Sequence, residues 1–268
     1  MKRIYKYILF KISSTKKYIL SMLLVIYQIF LLFNLISNNV KYNIYDFIME
    51  NFSYLSLFFS INLFFLVIIY NIFDKKNFYN YLNVRFISRQ ECYRANILTA
   101  FIFSAGIVIF INIICILSGH FMSFKNKWSP YFFYINSNNI NLYCKSEIVE
   151  LITQKLTPLL FVLITNTLII LYLFLMAVIF IVCNIIIKKR AVCFLLIIVL
   201  NGISRVLDVG KLACFSFTNN IYLLTSPLNQ VNNNTYIILK FIYWIVLIIL
   251  MYFIGIILTK NKDCNYGE

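Results

Sequence analysis

The chain has 268 residues, of which 62% are hydrophobic and 12% are charged, and its net charge is +15. This composition excludes a water-soluble domain, because such domains carry about 25% charged residues and cannot hide so much apolar surface from water. It also argues against a nucleic-acid-binding protein, because the cations lie at the ends of apolar runs, where membrane topology places them. The sequence therefore predicts an all-α polytopic membrane protein with membrane lipid, and no nucleic acid, among its partners.

The first 17 residues precede the apolar runs and carry six cations without an acid. Such a mixture predicts an interfacial amphipathic helix at 2–17, which lies in the headgroup region with its lysines toward anionic lipid. A plain positive flank of the first span is an equally good interpretation.

Six apolar runs follow, and they predict six transmembrane helices in a single domain that covers residues 1–268. The fourth run is longer than a bilayer requires, so we expect it to tilt or to overhang. A short basic turn, Lys188 to Arg190, makes the fourth and fifth spans an antiparallel hairpin. The predicted spans are about 18–36, 52–73, 97–117, 158–187, 191–207 and 237–259.

The distribution of Lys and Arg predicts the orientation of this bundle. With a cytoplasmic N-terminus, 16 of the 24 cations lie in the inner segments, and the other 8 are spread over much longer outer loops. Cytoplasmic loops carry the excess of Lys and Arg, so we expect both termini to be cytoplasmic. The inner segments are then 1–17, 74–96, 188–190 and 260–268.

The basic loop between the second and third spans contains the start of a helix. Ser88 is followed three residues later by Glu91, which is the pattern of a capping box. A helix from Arg89 to Leu117 is about 43 Å long, whereas the hydrocarbon core is about 30 Å thick. We expect the excess of about 13 Å to project into the cytoplasm. The side chains carried there are Arg89, Tyr93 and Arg94.

The long outer loop at 118–157 is rich in aromatic residues around Pro130. Such rings favour the membrane–water interface, which is the simpler interpretation. The alternative is a surface for an amphiphilic molecule that leaves the membrane. The aromatic residues in question are Trp128, Tyr131, Phe132 and Phe133. The same loop predicts a short amphipathic helix from Glu147 to Leu156.

The outer loop at 208–236 is apolar but broken by Gly, Asn and Pro. Such a sequence is typical of a re-entrant or outer-leaflet segment, whose backbone polar groups need partners from protein or water. We expect both outer loops to pack as partly membrane-inserted caps and not as solvated loops. At the outer end of the fifth span, Arg205 and Asp208 are predicted to form an ion pair.

Polar residues inside the predicted spans are sparse. The asparagines among them predict interhelical hydrogen bonds worth about 0.6 kcal/mol each or, alternatively, the lining of a pathway. They are Asn62, Asn112, Asn166, Asn184 and Asn201. No buried Asp or Glu is expected, which argues against a proton-driven carrier.

Motifs for catalysis and nucleotide binding are missing from the sequence. It contains no GxxxxGK(S/T) phosphate loop and no GxSxG or HExxH motif, and its one histidine is His120. We therefore predict no catalytic residue, no metal site and no cofactor bound by this chain, which disfavours a membrane-embedded enzyme. The seven cysteines include no CxxC pair, and the sequence leaves open whether Cys144 and Cys214 form a disulfide.

With this topology, the stretch VRFISRQECYRANIL resembles the loop between spans two and three of type-2 ATP-binding-cassette (ABC) permeases, which often reads LP-S-R-x-E. Ser88, Arg89 and Glu91 match that pattern, and Arg94 stands at the family's basic or polar position before span three. Phe86-Ile87 replaces the Leu-Pro of the family. The stretch LTKNKDCN is similar to the basic stub that closes span six in these proteins.

The resemblance implies a permease subunit in the bacterial cytoplasmic membrane that exports an amphiphilic substrate, such as an antimicrobial peptide in bacteriocin self-protection, a drug or a lipid. It also implies separate ATPase subunits that bind the ATP and Mg, and a second permease subunit, identical or different. The ATPase-coupling loop then contains Arg85, Ser88, Arg89, Glu91, Tyr93 and Arg94. Within it, Arg85 and Arg89 are the better candidates for protein contact, while Arg94 lies nearer the lipid headgroups. The alternative is a membrane immunity or sensor protein that binds a peptide or a partner without ATP.

Overall fold

The computed structural model describes residues 7, 16–37, 40–73, 86, 88–138, 146–187, 189–208, 212–226, 228–233 and 235–261. Within these ranges the chain is mostly helical and forms no β-strand, which confirms the predicted helical class. Most of the predicted interfacial helix at 2–17, together with Arg85 and Cys144, lies outside the described residues.

Long apolar helices alternate with short helices that connect them. A π-helix, Ser56–Ile61, leads into the α-helix Asn62–Ile72. Two 3-10 turns, Ala213–Phe215 and Leu223–Thr225, flank the α-helix Phe217–Ile221. The described α-helices are α1 (Lys16–Ile36), α2 (Ile44–Asn51), α3 (Asn62–Ile72), α4 (Arg89–Ser118), α5 (Pro130–Asn138), α6 (Ser146–Lys155), α7 (Pro158–Ile187), α8 (Arg190–Val206), α9 (Phe217–Ile221), α10 (Leu228–Asn232) and α11 (Thr235–Asn261).

Three helices of the described ranges, α4, α7 and α11, are long and apolar enough to cross a membrane. A fourth crossing results if α2 and the helix Ser56–Ile72, which meet at an angle of 53°, are counted as one bent span. Helix α1 contains a shorter apolar stretch, Met22–Ile36, and α8 has 17 residues. The chain thus has the helices of a membrane protein.

The bend lies inside the second predicted span, 52–73, and serine side chains explain it. The Ser56 hydroxyl donates to the Glu50 carbonyl at 3.2 Å and lies 2.9 Å from the Ser53 hydroxyl. Serines that bond nearby backbone carbonyls compete with the regular helical pattern and bend helices. The π-helical turn that follows is a second sign of this local conflict.

Helix α7 forms the centre of the bundle, and every residue from Tyr172 to Val182 is buried. A helix that is apolar on all sides is stable inside a protein when neighbours cover each face. Helix α4 runs antiparallel along α7, with the Phe101 and Phe174 rings 5.3 Å apart. Helix α8 turns back at Lys189 and packs on α7, which confirms the predicted hairpin, and α11 covers a further side.

These directions define two ends of the bundle. Helices α7 and α11 run parallel to each other and antiparallel to α4. The start of α4 therefore lies at the same end of the bundle as the last residues of α7 and α11. This end, called the Arg89 end, contains Arg89, Ile187 and Lys260. The opposite end, where α4 finishes, is called the Ser118 end. Between the two ends, α11 exposes about half of its apolar side chains, which would cause association in water and suit contact with lipid tails.

Candidate functional site

Helix α4 starts at Arg89, as predicted, because Ser88 caps it. The Ser88 backbone is extended, with φ −139° and ψ 154°, and its hydroxyl accepts a hydrogen bond from the Glu91 N–H at 3.1 Å. The helix continues for 30 residues, which corresponds to about 45 Å. It is therefore about 15 Å longer than the hydrocarbon core of a bilayer.

The side chains of the first turns of α4 lie in different environments. Ser88, Arg89 and Arg94 are exposed, and Glu91 is half-buried. Tyr93 is only 3% exposed, so the prediction that it projects from the bundle together with the arginines is wrong. Residues of one helical turn face different sides, and the side that carries Tyr93 is the one packed on a neighbouring helix.

Tyr93 connects α4 to α11. Its ring stacks on Tyr252 with the centroids 5.8 Å apart, and its hydroxyl donates to the Tyr252 carbonyl at 3.3 Å. Gly255 lies opposite, and a Cβ atom at that position would overlap the ring and hydroxyl of Tyr93. The contact therefore depends on a residue without a side chain, one turn of α11 away from Tyr252.

One residue that precedes the first span also reaches the start of α4. The Tyr7 hydroxyl donates to Asn96 Oδ1 at 2.6 Å, and the Tyr7 ring meets the Phe86 ring edge-on at 5.2 Å. This part of the N-terminal segment therefore contacts the same end of the bundle as the Ser88 cap.

A groove lies beside Arg94, between α4, α7 and α11. Its volume is about 350 Å³, and its lining is mainly apolar. The lining residues are Arg94, Ile97, Leu98, Phe101, Phe174 and Tyr252. The groove therefore combines one exposed cation with an apolar wall.

At the opposite side of the bundle, the chain between α8 and α11 folds inward at residues 212–226, called the broken segment. The Phe217 N–H donates to the Ser204 hydroxyl of α8 at 2.6 Å. The Tyr222 hydroxyl donates to the Phe52 carbonyl, at the end of α2, at 2.9 Å. These bonds attach the broken segment to two parts of the bundle that are distant in sequence.

Lys240 of α11 holds the same segment from a third side. Its side chain is 5% exposed, and its ammonium donates to the Tyr222 carbonyl at 3.0 Å and to the Asn219 carbonyl. This residue was not among those predicted from the sequence. A lone lysine within an apolar run was the available signal, because an intramembrane cation needs a polar partner.

Two aromatic residues of α11 donate to further carbonyls of the broken segment. Trp244 Nε1 donates to the Asn220 carbonyl at 3.0 Å, and the Tyr243 hydroxyl donates to the Phe215 carbonyl at 2.8 Å. Protein side chains thus satisfy the backbone of this segment, which confirms the prediction made from its apolar, interrupted sequence.

Aromatic rings enclose the inner side of the broken segment. The Trp244 ring lies 5.7 Å from Phe217 and 5.7 Å from Tyr172, and Phe58 lies 5.4 Å from Tyr172. The Tyr172 hydroxyl donates to Asn201 Oδ1 at 2.9 Å. The result is a buried apolar region with one polar pair inside it.

The prediction that Arg205 and Asp208 form an ion pair is wrong. The Arg205 guanidinium lies over the Tyr54 ring, 4.3 Å from its centroid, as a cation–π contact. Asp208 Oδ1 has no hydrogen-bond partner among the described residues. Helix α8 ends at Val206, so Asp208 has left the helical register that would align the two charged side chains.

The predicted asparagines have different partners. Asn166 Nδ2 donates to Asn112 Oδ1 at 3.2 Å, which joins α7 to α4, and Asn201 accepts from Tyr172 of α7. These contacts confirm the interhelical interpretation for three of the five residues. The side-chain oxygens of Asn62 and Asn184 have no hydrogen-bond partner in the part of the chain that the structure describes.

Two acidic residues of α2 are packed at the Ser118 end, so the expectation of no buried acid is wrong. Asp46 is 3% exposed and forms a capping box with Asn43. The Asn43 N–H donates to Asp46 Oδ2 at 2.7 Å, and the Asp46 N–H donates to Asn43 Oδ1 at 3.0 Å. Glu50 follows one turn later on the helix. The spacing of Asn43 and Asp46 was a readable signal of this helix start.

The charges of α2 act on Tyr131 of α5. Burial raises the pKa of the Tyr131 hydroxyl, and the nearby carboxylates of Glu50 and Asp46 raise that pKa further. Tyr131 therefore remains a protonated hydrogen-bonding group throughout the physiological pH range.

The four aromatic residues considered as an outer surface are separated by the fold. Tyr131 and Phe132 are buried, and Trp128 packs 4.2 Å from Phe132 while its Nε1 donates to the Leu156 carbonyl at 3.0 Å. Phe133 is 41% exposed. Three of the four therefore form the interior of a cap, and Phe133 alone of this group faces outward.

The two loops that were predicted to be outer loops meet at the end of α6. Lys155 Nζ donates to the carbonyls of Val231 and Asn232 at 2.7 and 2.8 Å. Helix α6 is the amphipathic helix expected from Glu147 to Leu156, shifted by one residue. Both loops are folded in their described parts, and their partial insertion into the membrane stays a prediction.

The described residues contain no group of three or more His, Cys, Asp or Glu side chains that could hold a metal ion. Cys214 is an exposed free thiol, and Cys144, its suggested disulfide partner, lies outside the described residues.

No family model matches the chain. The chain is similar to an uncharacterised protein of Halalkalibacterium halodurans, with 25% identity over 226 residues that cover 82% of this chain and 79% of the other. No solved structure matches it. The likeness extends over most of both proteins and assigns neither of them an activity.

Proposed function

We propose that this chain is the membrane-spanning permease subunit of an ATP-binding-cassette transporter in a bacterial cytoplasmic membrane. It exports an amphiphilic substrate, such as an antimicrobial peptide, a drug or a lipid, with ATP that separate ATPase subunits hydrolyse. It pairs with a second permease subunit, and its six spans place both termini and the Arg89 end in the cytoplasm. The observation that supports this proposal most is the long, basic and rigid start of α4.

A partner outside the membrane needs a stiff element on which to act. Helix α4 is uninterrupted over 30 residues, and about 15 Å of it extends beyond a bilayer core. The Ser88 hydroxyl satisfies one of the free N–H groups at its start, which limits fraying, and Arg89 is exposed there. A force on this end is therefore transmitted into the bundle.

Helix α4 is joined to its neighbours at successive levels of the bundle. Near the Arg89 end it contacts α11, further along it contacts α7 through aromatic rings, and near the Ser118 end it contacts α7 through a hydrogen bond. The pairs are Tyr93–Tyr252, Phe101–Phe174 and Asn112–Asn166. Movement of the Arg89 end therefore displaces α7 and α11 together with α4.

The aromatic cluster beneath the broken segment has the chemical groups that an amphiphilic substrate would contact once movement of the helices separates these packed rings. Rings of Tyr172, Phe217 and Trp244 provide apolar contacts, and the Tyr172–Asn201 pair provides a polar group among them. Binding sites for amphiphiles combine a mainly apolar wall with few polar groups in this way. In this proposal the broken segment covers that region on the outer side.

The orientation is testable with single cysteines in a cysteine-free background. We expect an impermeant thiol reagent, added to intact cells, to label the His120→Cys variant and not the Lys189→Cys variant, because the cation distribution places position 189 inside. Both variants should be labelled after permeabilisation. Labelling of Lys189→Cys in intact cells would overturn the orientation.

The contact with an ATPase is testable by reversing the charge of Arg89. Loss of an exposed ion pair costs about 0.2–1 kcal/mol, so Arg89→Gln should weaken the association modestly. Arg89→Glu adds repulsion, and like charges across an interface cost several kcal/mol. We expect Arg89→Glu to remain folded in the membrane and to retain less than about a tenth of the co-purifying ATPase.

The matched control is Lys189→Glu, which reverses an exposed cation at the same end of the bundle, in the turn before α8. This variant should retain its ATPase. The proposed contact is wrong if Arg89→Glu keeps the full amount of ATPase, or if Lys189→Glu loses as much. Failure of any ATPase to co-purify with the natural chain in mild detergent would favour the immunity or sensor protein.

A further inference from the structure

We infer that the groove between α4, α7 and α11 binds an anionic phospholipid from the leaflet at the Arg89 end. Its phosphate contacts Arg94, and an acyl chain lies against the apolar wall formed by Phe101 and Phe174. This site goes beyond the proposed transport function, and its occupation requires neither an ATPase nor a transported substrate.

Arg94 is available to such a ligand. Its side chain is exposed at the mouth of the groove and has no hydrogen-bond or ion-pair partner among the described residues. A guanidinium presents several N–H donors in one plane and binds phosphate oxygens in pairs. Among the described residues, no acidic side chain lines the groove to compete with a phosphate.

The position of Arg94 along α4 matches the level of lipid phosphates. The apolar run 97–117 is about 30 Å long, which is the thickness of the hydrocarbon core. Arg94 precedes Ile97 by three residues, or about 4.5 Å, and therefore lies in the headgroup layer. Arg89 lies about 12 Å before the run, too far out for the same contact.

The wall of the groove matches an acyl chain. Leu98 and Phe101 are 45% and 42% exposed, and the Phe101 ring meets Phe174 edge-on at 5.3 Å to form the floor. Tyr252 closes the side toward α11. A free phosphate ion gains nothing from such a wall, whereas a phospholipid uses the cation and the apolar surface together.

The site also fits a lipid better than a protein partner. A groove of about 350 Å³ offers space for part of an acyl chain and headgroup, and it lies where the bundle meets the headgroup layer. Protein interfaces that hold stable partners bury about 800 Å² on each side. We therefore assign Arg94 to lipid and Arg89 to the proposed protein contact.

The test uses the purified full chain in neutral detergent with phosphatidylglycerol or phosphatidylcholine of identical acyl chains, and measures bound lipid by native mass spectrometry. We expect the natural chain to prefer phosphatidylglycerol, and Arg94→Gln to bind it about tenfold more weakly or worse, because a charge-assisted hydrogen bond is lost. Arg94→Lys should keep part of the preference, since its charge remains. Phosphatidylcholine binding should change little in either variant.

Arg89→Gln is the matched control, because it removes one exposed cation from the same helix outside the groove. It should bind phosphatidylglycerol as the natural chain does. Inorganic phosphate at millimolar concentration should not displace the lipid. Equal melting temperatures of all variants in detergent without added lipid show that folding is unaffected.

Three outcomes overturn the inference. The first is that Arg94→Gln binds phosphatidylglycerol like the natural chain. The second is that Arg89→Gln loses as much binding as Arg94→Gln, and the third is that inorganic phosphate displaces the lipid. Loss of a co-purifying protein from Arg94→Gln with unchanged lipid binding would assign the groove to a protein instead. Because no ATPase is present in the assay, the result is independent of the proposed transport function.

Discussion

Replacing Lys240 with methionine is expected to destabilise the purified protein and to release the broken segment. Methionine has a similar length but no donor, so the Asn219 carbonyl loses its close donor, whereas the Tyr222 carbonyl keeps the Thr225 hydroxyl, which donates to it at 2.7 Å. An unsatisfied buried acceptor costs about 1–3 kcal/mol. Removal of a buried amine offsets part of this cost, and we expect a net loss of about 1–2 kcal/mol. Thermal unfolding in detergent and limited proteolysis within 212–226 measure the two effects.

The matched control is Ile242→Met, a change to the same side chain on the exposed face of α11. It should leave both the melting temperature and the proteolysis pattern unchanged. Tyr243→Phe, which removes only the hydroxyl that donates to the Phe215 carbonyl, should have a smaller effect of about 1 kcal/mol or less. If Lys240→Met has the same melting temperature as the natural protein and its broken segment resists protease equally well, Lys240 does not hold that segment.

Gly255→Ala is expected to separate α4 from α11 at the Arg89 end. The added Cβ would overlap the ring and hydroxyl of Tyr93, so one of the two helices must shift. Overpacking of this kind costs about 1–3 kcal/mol. In the proposed transporter it should also reduce transport, because the Tyr93–Tyr252 contact connects the cytoplasmic end of α4 to α11. The melting temperature and the transport rate of the reconstituted protein give the two readouts.

Gly106→Ala is the matched control, because it makes the same change inside α4 where no atom lies within 4 Å of the added carbon. It should be neutral, or stabilising by up to about 1 kcal/mol, since alanine favours helix. Adding Tyr93→Leu to Gly255→Ala should recover part of the lost stability, because the smaller side chain makes room. If the double variant instead loses as much stability as the sum of the two single variants, the two residues do not meet.

The features predicted correctly from the sequence are local ones. Ser88 and Glu91 stand within one turn of each other, so their spacing alone indicates where α4 begins. The helix of α6 and the hairpin at Lys189 depend on similarly short stretches. The interrupted apolar sequence of the broken segment also indicated that its backbone needs partners, although it did not indicate which residues supply them.

The burial of Tyr93 could not be predicted, for a physical reason. In water, a polar face and an apolar face distinguish the outside of a helix from its inside. In a bilayer, lipid tails are as apolar as leucine, so the sequence of α4 is similar on its lipid-facing and its packed sides. The fit of Tyr93 against Gly255 and the groove beside Arg94 arise only when separate helices meet.

The misjudged charges have a different cause. The burial of Asp46 was not predicted, because α2 has only eight residues and the residues that pack against it, such as Ser123, are distant in sequence. Lys240 was visible as a lone cation, yet its acceptors belong to an irregular segment whose path no periodicity describes. Arg205 and Asp208 have the spacing of an ion pair, but the helix ends between them.

Complete burial of the middle of α7 also bears on how the protein is made. Helix α11 is synthesised well after α7 and contacts it along much of its length. Until α11 has inserted, one side of Tyr172–Val182 faces lipid, and the carbonyls of Asn219 and Tyr222 lack the donor that Lys240 supplies. Insertion of α7 and completion of its packing are therefore separate events in biogenesis. In the interval between them, the exposed backbone of the broken segment is a feature that a membrane chaperone or protease can recognise.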